Sequence, residues 1–162
     1  MVNVIPVRVL QDNYAYIIPT SAPLCDPDLA TCIVIDPGDA SVVLRRANMM
    51  KLRITHILCT HHHWDHTQGN MEIIKHCVGC EIVGSKMDNV KGLSIALGHY
   101  NEMQIGTVKV RALLTQGHTN GHLSYYITDR VSGAVGCIFT GDTLFNGGCG
   151  KLFEGNAKQV RG

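Results

Sequence analysis

The fold and the chemistry of this chain are both indicated by the stretch Thr60-His61-His62-His63-Trp64-Asp65-His66. This stretch directly follows the apolar, strand-like segment 54–59. His61 and His63 are two residues apart, so in an extended or turning backbone their imidazoles point to the same side. Asp65 and His66 follow a change of direction and are predicted to face a second point nearby. Ligands this dense suit a pair of divalent cations better than a closed structural zinc site, whose ligands come at wider, paired spacings.

A surface loop that is merely rich in histidine is the alternative interpretation of this stretch. Such a loop would not need a carboxylate inserted between histidines at these offsets. The sequence therefore favours a metal site.

The segments around the stretch predict an α/β fold in a single domain spanning residues 1–162. A hairpin is predicted from 2–10 and 15–18, followed by a central apolar strand at 31–35. An amphipathic helix at 40–51 then leads to the strand at 54–59. Strand, helix, strand implies parallel pairing with a right-handed crossover, and open α/β sheets place their sites at the carboxyl ends of such strands. The later predicted elements are a short helix at 69–77, a short strand at 81–84, a strand or hairpin over 103–114, and a hairpin of 123–128 with 134–140.

The amino-acid composition argues against some classes of binding partner. A net charge of +1 and a charged fraction of 17% give no electrostatic footprint for nucleic acid. Seven irregularly spaced cysteines do not form a disulfide framework and favour a reducing compartment. The N-terminus lacks the pattern of a signal peptide, and no apolar run approaches the ~18 residues of a membrane span. We therefore expect a cytoplasmic protein that binds neither nucleic acid nor membrane.

Two later strands end beside further potential ligands. Residues 116–122 include His118 and follow the strand that ends near Leu114, and Gly141-Asp142-Thr143 follows the strand that ends at Thr140. Together with the residues at 61–66, His118 is predicted as the third ligand of one ion and Asp142 as a carboxylate that bridges two. A shared carboxylate of this kind holds two metals about 3.5–4 Å apart, a spacing used for hydrolysis.

This order of ligands resembles that of the metallo-β-lactamase superfamily. Three stretches are similar, more narrowly, to the glyoxalase II family of hydroxyacylglutathione hydrolases: 60–66, 117–122, and 141–145 continuing to 148–155. The resemblance implies an αββα sandwich. It also implies a first metal held by His61, His63 and His118, and a second held by Asp65 and His66, with Asp142 bridging both. Two Zn²⁺ ions are expected, with iron or manganese as alternatives, because histidine and carboxylate ligands suit all three metals.

The implied reaction is hydrolysis of the thioester S-lactoylglutathione to lactate and glutathione, a step in methylglyoxal detoxification. Asp65 and Asp142 are the implied catalytic residues, because they hold the metals that activate a bridging hydroxide. Lys151 matches the lysine that holds the glutathione moiety, and Phe153 matches the position of an aromatic substrate contact. In the family that aromatic residue is a tyrosine, so the hydroxyl contact is expected to be lost while the ring can still pack.

The family's last metal ligand, a histidine on a later strand, has no counterpart in this sequence, whose final histidine is His122. The family's C-terminal helical domain is also expected to be absent, which leaves the sandwich incomplete at the C-terminus. These differences imply a truncated form, a fragment, or a chain completed by a partner. They predict weaker binding of the second metal and reduced activity.

Two alternatives remain open at this stage. One is a persulfide dioxygenase of the same fold, which uses a single iron. The other is an inactive paralogue that binds metal, or that associates with a partner or with itself through an unfinished sheet edge.

Overall fold

The computed structural model describes residues 2–20, 30–130 and 135–160. A first sheet contains six strands in chain order: β1 (Ile5–Val9), β2 (Asn13–Pro19), β3 (Thr31–Ile35), β4 (Arg53–Leu58), β5 (Glu81–Ser85) and β6 (Ile95–Leu97). Strands β1 to β3 pair antiparallel, and β3 to β6 pair parallel. The predicted parallel pairing of β3 with β4 is confirmed, and it places their carboxyl ends at one edge of the sheet.

A second sheet contains four antiparallel strands in the order β10-β9-β8-β7. Its strands are β7 (Glu102–Ile105), β8 (Val108–Leu114), β9 (Leu123–Asp129) and β10 (Cys137–Phe139). The two predicted hairpins are β7–β8, which turns at Gly106, and β9–β10. Gly106 has a φ of 53°, and a Cβ there would lie 2.0 Å from the Thr20 carbonyl oxygen, so this turn requires glycine.

The two sheets pack face to face because their strands alternate between buried and exposed side chains. On β8, Val108 and Val110 are buried while Arg111 is exposed on the outer face. The shared core joins apolar residues of both sheets: Ile18, Ile33, Leu58, Val83, Val110, Leu123, Tyr125 and Ile127. This common core positions the loops at the ends of both sheets relative to one another.

Helices cover the other face of the first sheet. They are α1 (Ala40–Met49) and α3 (Asn70–His76), and they pack on it through Val43, Ala47 and Ile73. Asp39 begins α1 as its N-cap by accepting hydrogen bonds from the backbone N–H groups of Ser41 and Val42. The helix–sheet–sheet layering confirms the predicted mixed α/β fold. Within the described residues, the one α-helix that follows the second sheet is the single-turn α4 (Ala157–Val160).

Two features differ from or extend beyond the sequence predictions. The short strand β6 lies in the region 86–100, for which no strand was predicted, and α2 (Trp64–Thr67) makes the change of direction within the ligand stretch helical. Residues 131–134, which fall within the predicted hairpin of 123–128 with 134–140, and Cys25 lie outside the described residues. Among the residues described, no helix is long and apolar enough to cross a membrane.

Candidate metal centre

The loop after β4 is anchored to the end of β3 through Asp36. This residue is buried and adopts a left-handed backbone conformation with a φ of 48°. Its Oδ1 accepts a hydrogen bond from the Thr60 N–H at 2.8 Å, and its Oδ2 accepts one from the Thr60 hydroxyl at 2.7 Å. Because β3 and β4 are parallel neighbours, their carboxyl ends lie close enough for this contact. The contact fixes the backbone immediately before the histidines.

Helix α2 then turns the chain so that His66 faces the same centre as His61. The His66 Nδ1–H donates to Asp36 Oδ2 at 3.0 Å, and the His66 side chain is largely buried. The Thr67 hydroxyl donates to the His63 carbonyl at 2.9 Å, which holds the first turn of the helix. One carboxylate, that of Asp36, therefore orients both the loop and the imidazole of His66.

Two loops that follow strands of the second sheet place His118 and Asp142 beside this centre. His118 lies in the loop after β8, and its Nδ1–H donates to the Lys151 carbonyl at 2.7 Å. Asp142 lies in a single 3-10 turn after β10, and its backbone N–H donates to His122 Nε2 at 3.1 Å. His122 is fully buried and does not face the centre as a ligand; it holds the Asp142 backbone in place.

Two overlapping triads result. One contains His61, His63 and His118, and the other contains His61, His66 and Asp142, with the ligand atoms of each triad within 4.8 Å of one another. In the first triad, His63 Nδ1 lies 3.1 Å from His61 Nε2 and 2.9 Å from His118 Nε2. The Asp142 carboxylate lies between the triads, with Oδ1 3.1 Å from His66 Nε2 and Oδ2 3.4 Å from His118 Nε2.

The hydrogen bonds of the imidazoles fit metal binding. The Nδ1–H groups of His66 and His118 donate to a carboxylate and a carbonyl, and that of His61 donates to the Thr60 hydroxyl at 3.0 Å. Nε2 is therefore the ring nitrogen that each of these three histidines directs at the centre. Nitrogens that converge in this way, with their outer N–H groups tied to acceptors, are the arrangement found around metal ions in proteins. Ligands of a tetrahedral zinc ion lie about 3.3 Å apart, close to the separations in the first triad.

The carboxylates of Asp36 and Asp142 favour a positive charge on the imidazole between them, that of His66. Burial lowers the pKa of His66, but Asp36 and Asp142 outweigh it and raise that pKa to about 10. Burial and the neighbouring imidazoles instead lower the pKa of His61. Burial also lowers the pKa of His122 to about 4, which keeps its Nε2 free to accept the Asp142 N–H.

Asp65, which was predicted as a ligand of the second metal, lies at the edge of the centre and outside both triads. Its Oδ2 is 3.4 Å from His66 Nε2 and accepts a hydrogen bond from Asn13 Nδ2 at 2.9 Å. Its carboxylate thus faces the second triad with one oxygen already held by an amide.

The predicted substrate contacts lie on the side of the first triad. The Phe153 ring stands edge-on to the rings of His63 and His118, with centroids 5.5 and 5.3 Å away. Lys151 Nζ lies 5.2 Å from the centroid of the same ring. On the side of the second triad a cavity of about 970 Å³ opens beside Asp65, His66 and Asp142, and its walls include Tyr14, Tyr16, Leu144 and Phe145.

Sequence reasoning missed the role of Asp36 and Asn13. Asp36 lies in the turn before α1, but Asp39 is the residue that caps that helix. Asn13 lies at the start of β2, and its side-chain amide holds Asp65. The position of Asp36 at the carboxyl end of a strand next to β4 is a signal that could have identified it.

The two-sheet fold and the histidine–aspartate centre together are typical of one protein superfamily. The profile of the metallo-beta-lactamase superfamily matches residues 28–161, and the chain belongs to that superfamily. The chain is 39% identical over 155 residues to the cytoplasmic hydroxyacylglutathione hydrolase of Arabidopsis thaliana, covering 95% of this chain and 57% of that protein. It is 42% identical over 156 residues to the hydroxyacylglutathione hydrolase of Rhodospirillum rubrum, covering 95% of this chain and 56% of that protein.

The chain therefore spans a little over half the length of the curated relatives it matches. Among solved structures, it is similar to a metallo-beta-lactamase from Staphylococcus aureus with a TM-score of 0.77 and 26% identity. That match covers 99% of this chain and 49% of the other. The fold is thus shared over the described part of the chain.

Proposed function

We propose that this chain forms the metal centre of a thioester hydrolase that converts S-(2-hydroxyacyl)glutathione, with S-lactoylglutathione as the main substrate, to glutathione and a 2-hydroxy acid. The observation that carries the proposal is the pair of triads that share His61, with Asp142 between them. The similarity to two hydroxyacylglutathione hydrolases supports the choice of substrate. In the cell such an enzyme would serve methylglyoxal detoxification in the cytoplasm.

The proposed metal is Zn²⁺, at two sites. His61, His63 and His118 would hold the first ion, and Asp65 and His66 the second, with Asp142 shared. When bound there, a pair of divalent cations supplies Lewis acidity that activates water and stabilises negative charge on the carbonyl oxygen.

The protein's own residues hold and orient the substrate. We assign the glutathione moiety to the side of the first triad, where the Lys151 ammonium is exposed and can pair with a carboxylate of the tripeptide. The Phe153 ring would pack against the thiol portion. The acyl group would then point toward the cavity beside His66 and Asp142. A thiolate is a good leaving group, so this arrangement requires no separate general acid.

The test is metal stoichiometry and thioester hydrolysis measured on the same purified sample. We expect one tightly bound zinc ion, a second ion bound more weakly because the family's last histidine has no counterpart here, and reduced turnover of S-lactoylglutathione. His118→Ala should lose one ion and most of the turnover, because His118 belongs to the first triad. The matched control is His76→Ala, which removes an exposed imidazole at the end of α3 and should change neither value. Full metal loading without thioester turnover would refute the proposed reaction.

A mononuclear iron dioxygenase is a second candidate, favoured by the composition of one triad. His61, His66 and Asp142 are two histidines and one carboxylate, the set that binds Fe(II) in many oxygenases. Oxygen consumption with glutathione persulfide by the iron-loaded protein, without thioester hydrolysis by the zinc-loaded protein, would select this candidate.

We further propose that the exposed edge of the second sheet at β10 allows the chain to associate with another copy. In the described residues β10 pairs on one side only, with β9. An unpaired strand edge of this kind can pair with another chain. A sedimentation experiment that finds only monomers across a wide concentration range would refute this.

A further inference from the structure

A second cluster of polar side chains lies beside the first triad, and the proposed reaction uses none of it. His62 points away from the triads, and its Nδ1 bonds the Asp88 carboxylate. The Asp88 side chain is almost completely buried, and its other oxygen accepts a hydrogen bond from the Thr119 hydroxyl at 3.2 Å. The other ring nitrogen of His62, Nε2, lies 3.7 Å from Glu154 Oε1. The cluster thus links the ligand stretch to two other loops.

Glu154 also makes a direct bond to the loop that carries His118. Its Oε2 accepts a hydrogen bond from the Asn120 backbone N–H at 2.8 Å. The residues around it, 150–155, form what we call the rim segment, because they carry Lys151 and Phe153 along the side of the first triad. The backbone of the rim segment follows the His118 loop through two bonds, Phe153 N–H to the His118 carbonyl and Gly155 N–H to the Gly117 carbonyl.

A third bond, from His118 Nδ1–H to the Lys151 carbonyl at 2.7 Å, holds the backbone at Lys151, but the segment is held less firmly beyond it. The Phe153 bond is 3.3 Å long, and the Phe153 side chain is 60% exposed, so core packing does not fix its position. The carboxylate of Glu154 adds a charge-assisted hydrogen bond from the middle of the segment, together with its approach to His62. Hydrogen bonds to an ionised group are roughly twice as strong as neutral ones. Glu154 therefore adds a side-chain contact that helps to hold this segment, with Lys151 and Phe153, against the His118 loop.

We propose that Glu154 is a positioning residue that clamps the rim segment onto the His118 loop and so sets the affinity for the glutathione part of the substrate. His62 and Asp88 support the clamp from the side of the ligand stretch. The Glu154 carboxylate contacts His62 and the Asn120 amide, neither of which is a proposed metal ligand, so we assign its effect to the placement of Lys151 and Phe153. This role rests on the proposed thioester hydrolysis, whereas the clamp itself can be tested without turnover.

The test compares Glu154→Ala with wild type by steady-state kinetics, metal content and hydrogen exchange of the Asn120 amide. Loss of the carboxylate should raise KM for S-lactoylglutathione about tenfold, the equivalent of one charged hydrogen bond, with kcat within about twofold. Exchange of the Asn120 amide should accelerate about tenfold, because its acceptor is gone. Metal content should not change. Glu154→Gln keeps an oxygen acceptor at the same position and should recover most of both effects.

The matched control is Glu72→Ala, which removes an exposed carboxylate on α3 that is paired only with neighbours on its own helix. It should leave KM and Asn120 exchange at their wild-type values. An unchanged KM, or unchanged Asn120 exchange in Glu154→Ala, would overturn the clamp, and so would a fall in metal content parallel to kcat. If wild type shows no turnover at all, the proposed reaction fails, and the Asn120 exchange still decides whether the clamp exists.

Discussion

Replacing the buried carboxylate of Asp36 with an amide should weaken metal binding at the second triad without removing a ligand. In Asp36→Asn, the side-chain oxygen can still accept the Thr60 N–H, but the amide nitrogen then faces His66 Nδ1, where Oδ2 accepts a hydrogen bond at 3.0 Å. An NH₂ group cannot accept that hydrogen bond. His66 therefore has to move its proton to Nε2, the nitrogen that points at Asp142. A protonated Nε2 cannot bind an ion.

The expected loss is 10–100-fold in metal affinity, the range found when a hydrogen-bond partner of a metal-bound histidine is replaced. Asp36 accepts three hydrogen bonds, and weakening each from charged to neutral by about 1 kcal/mol should lower the free energy of unfolding by roughly 2–3 kcal/mol. Competition with a fluorescent zinc chelator measures the first value, and urea unfolding of the metal-free protein measures the second.

A matched control lies three residues further along the same turn. Asp39→Asn also removes one negative charge, but asparagine serves as an N-cap about as well as aspartate, so α1 should keep its start. We expect wild-type metal affinity and a free energy of unfolding within about 0.5 kcal/mol of wild type. Equal metal affinity in Asp36→Asn and Asp39→Asn would refute the argument that Asp36 fixes the proton position of His66.

Three further predictions concern the surroundings of the centre. Gly141→Ala should destabilise the protein by at least about 2 kcal/mol and lower its metal content. The reason is that Gly141 has a φ of 48°, and a Cβ there would lie 2.7 Å from His122 Nε2. Thermal unfolding and metal analysis measure the two effects. Burial lowers the pKa of His122 to about 4 from the ordinary histidine value of about 6.5, so the folding stability contributed by this neutral imidazole is complete above pH 6.5 and is lost as the pH falls toward 4. The metal-free protein should thus lose about 2 kcal/mol of unfolding free energy from His122 between pH 7 and 5, and urea titrations showing no loss would contradict this. Brief alkylation followed by mass spectrometry should label exposed Cys149 and spare Cys32 and Cys59, since burial raises the pKa of both thiols, that of Cys32 to about 12.

Most of the strands and the main ligands could be predicted because their signals are local. The apolar run 31–35, the alternation on β8 and the spacing of His61 and His63 each follow from a few neighbouring residues. The order of strand and helix was enough to predict that β3 and β4 are parallel. The resemblance to a family then added the expected roles of residues far apart in the sequence.

The orienting residues around the ligands could not be predicted in this way. Asp36 lies in an Asp-Pro-Gly-Asp turn, where local rules favour a helix cap. Its bond to Thr60 depends on the register between two parallel strands, which the sequence does not state. The strand β6 has only three residues and pairs at the edge of the sheet, so it carries too little periodicity to be recognised.

The convergence of imidazole nitrogens at the centre has a consequence for the survival of the polypeptide in the cell. Without a metal ion, the imidazole nitrogens of His61 and His118 remain about 3 Å from that of His63, and an ion that enters relieves this crowding. Any ligand that binds only the folded chain shifts the folding equilibrium in proportion to the logarithm of its free concentration. The steady-state abundance of this protein should therefore follow the supply of its metal, since chains that lack ions unfold more often and are degraded sooner.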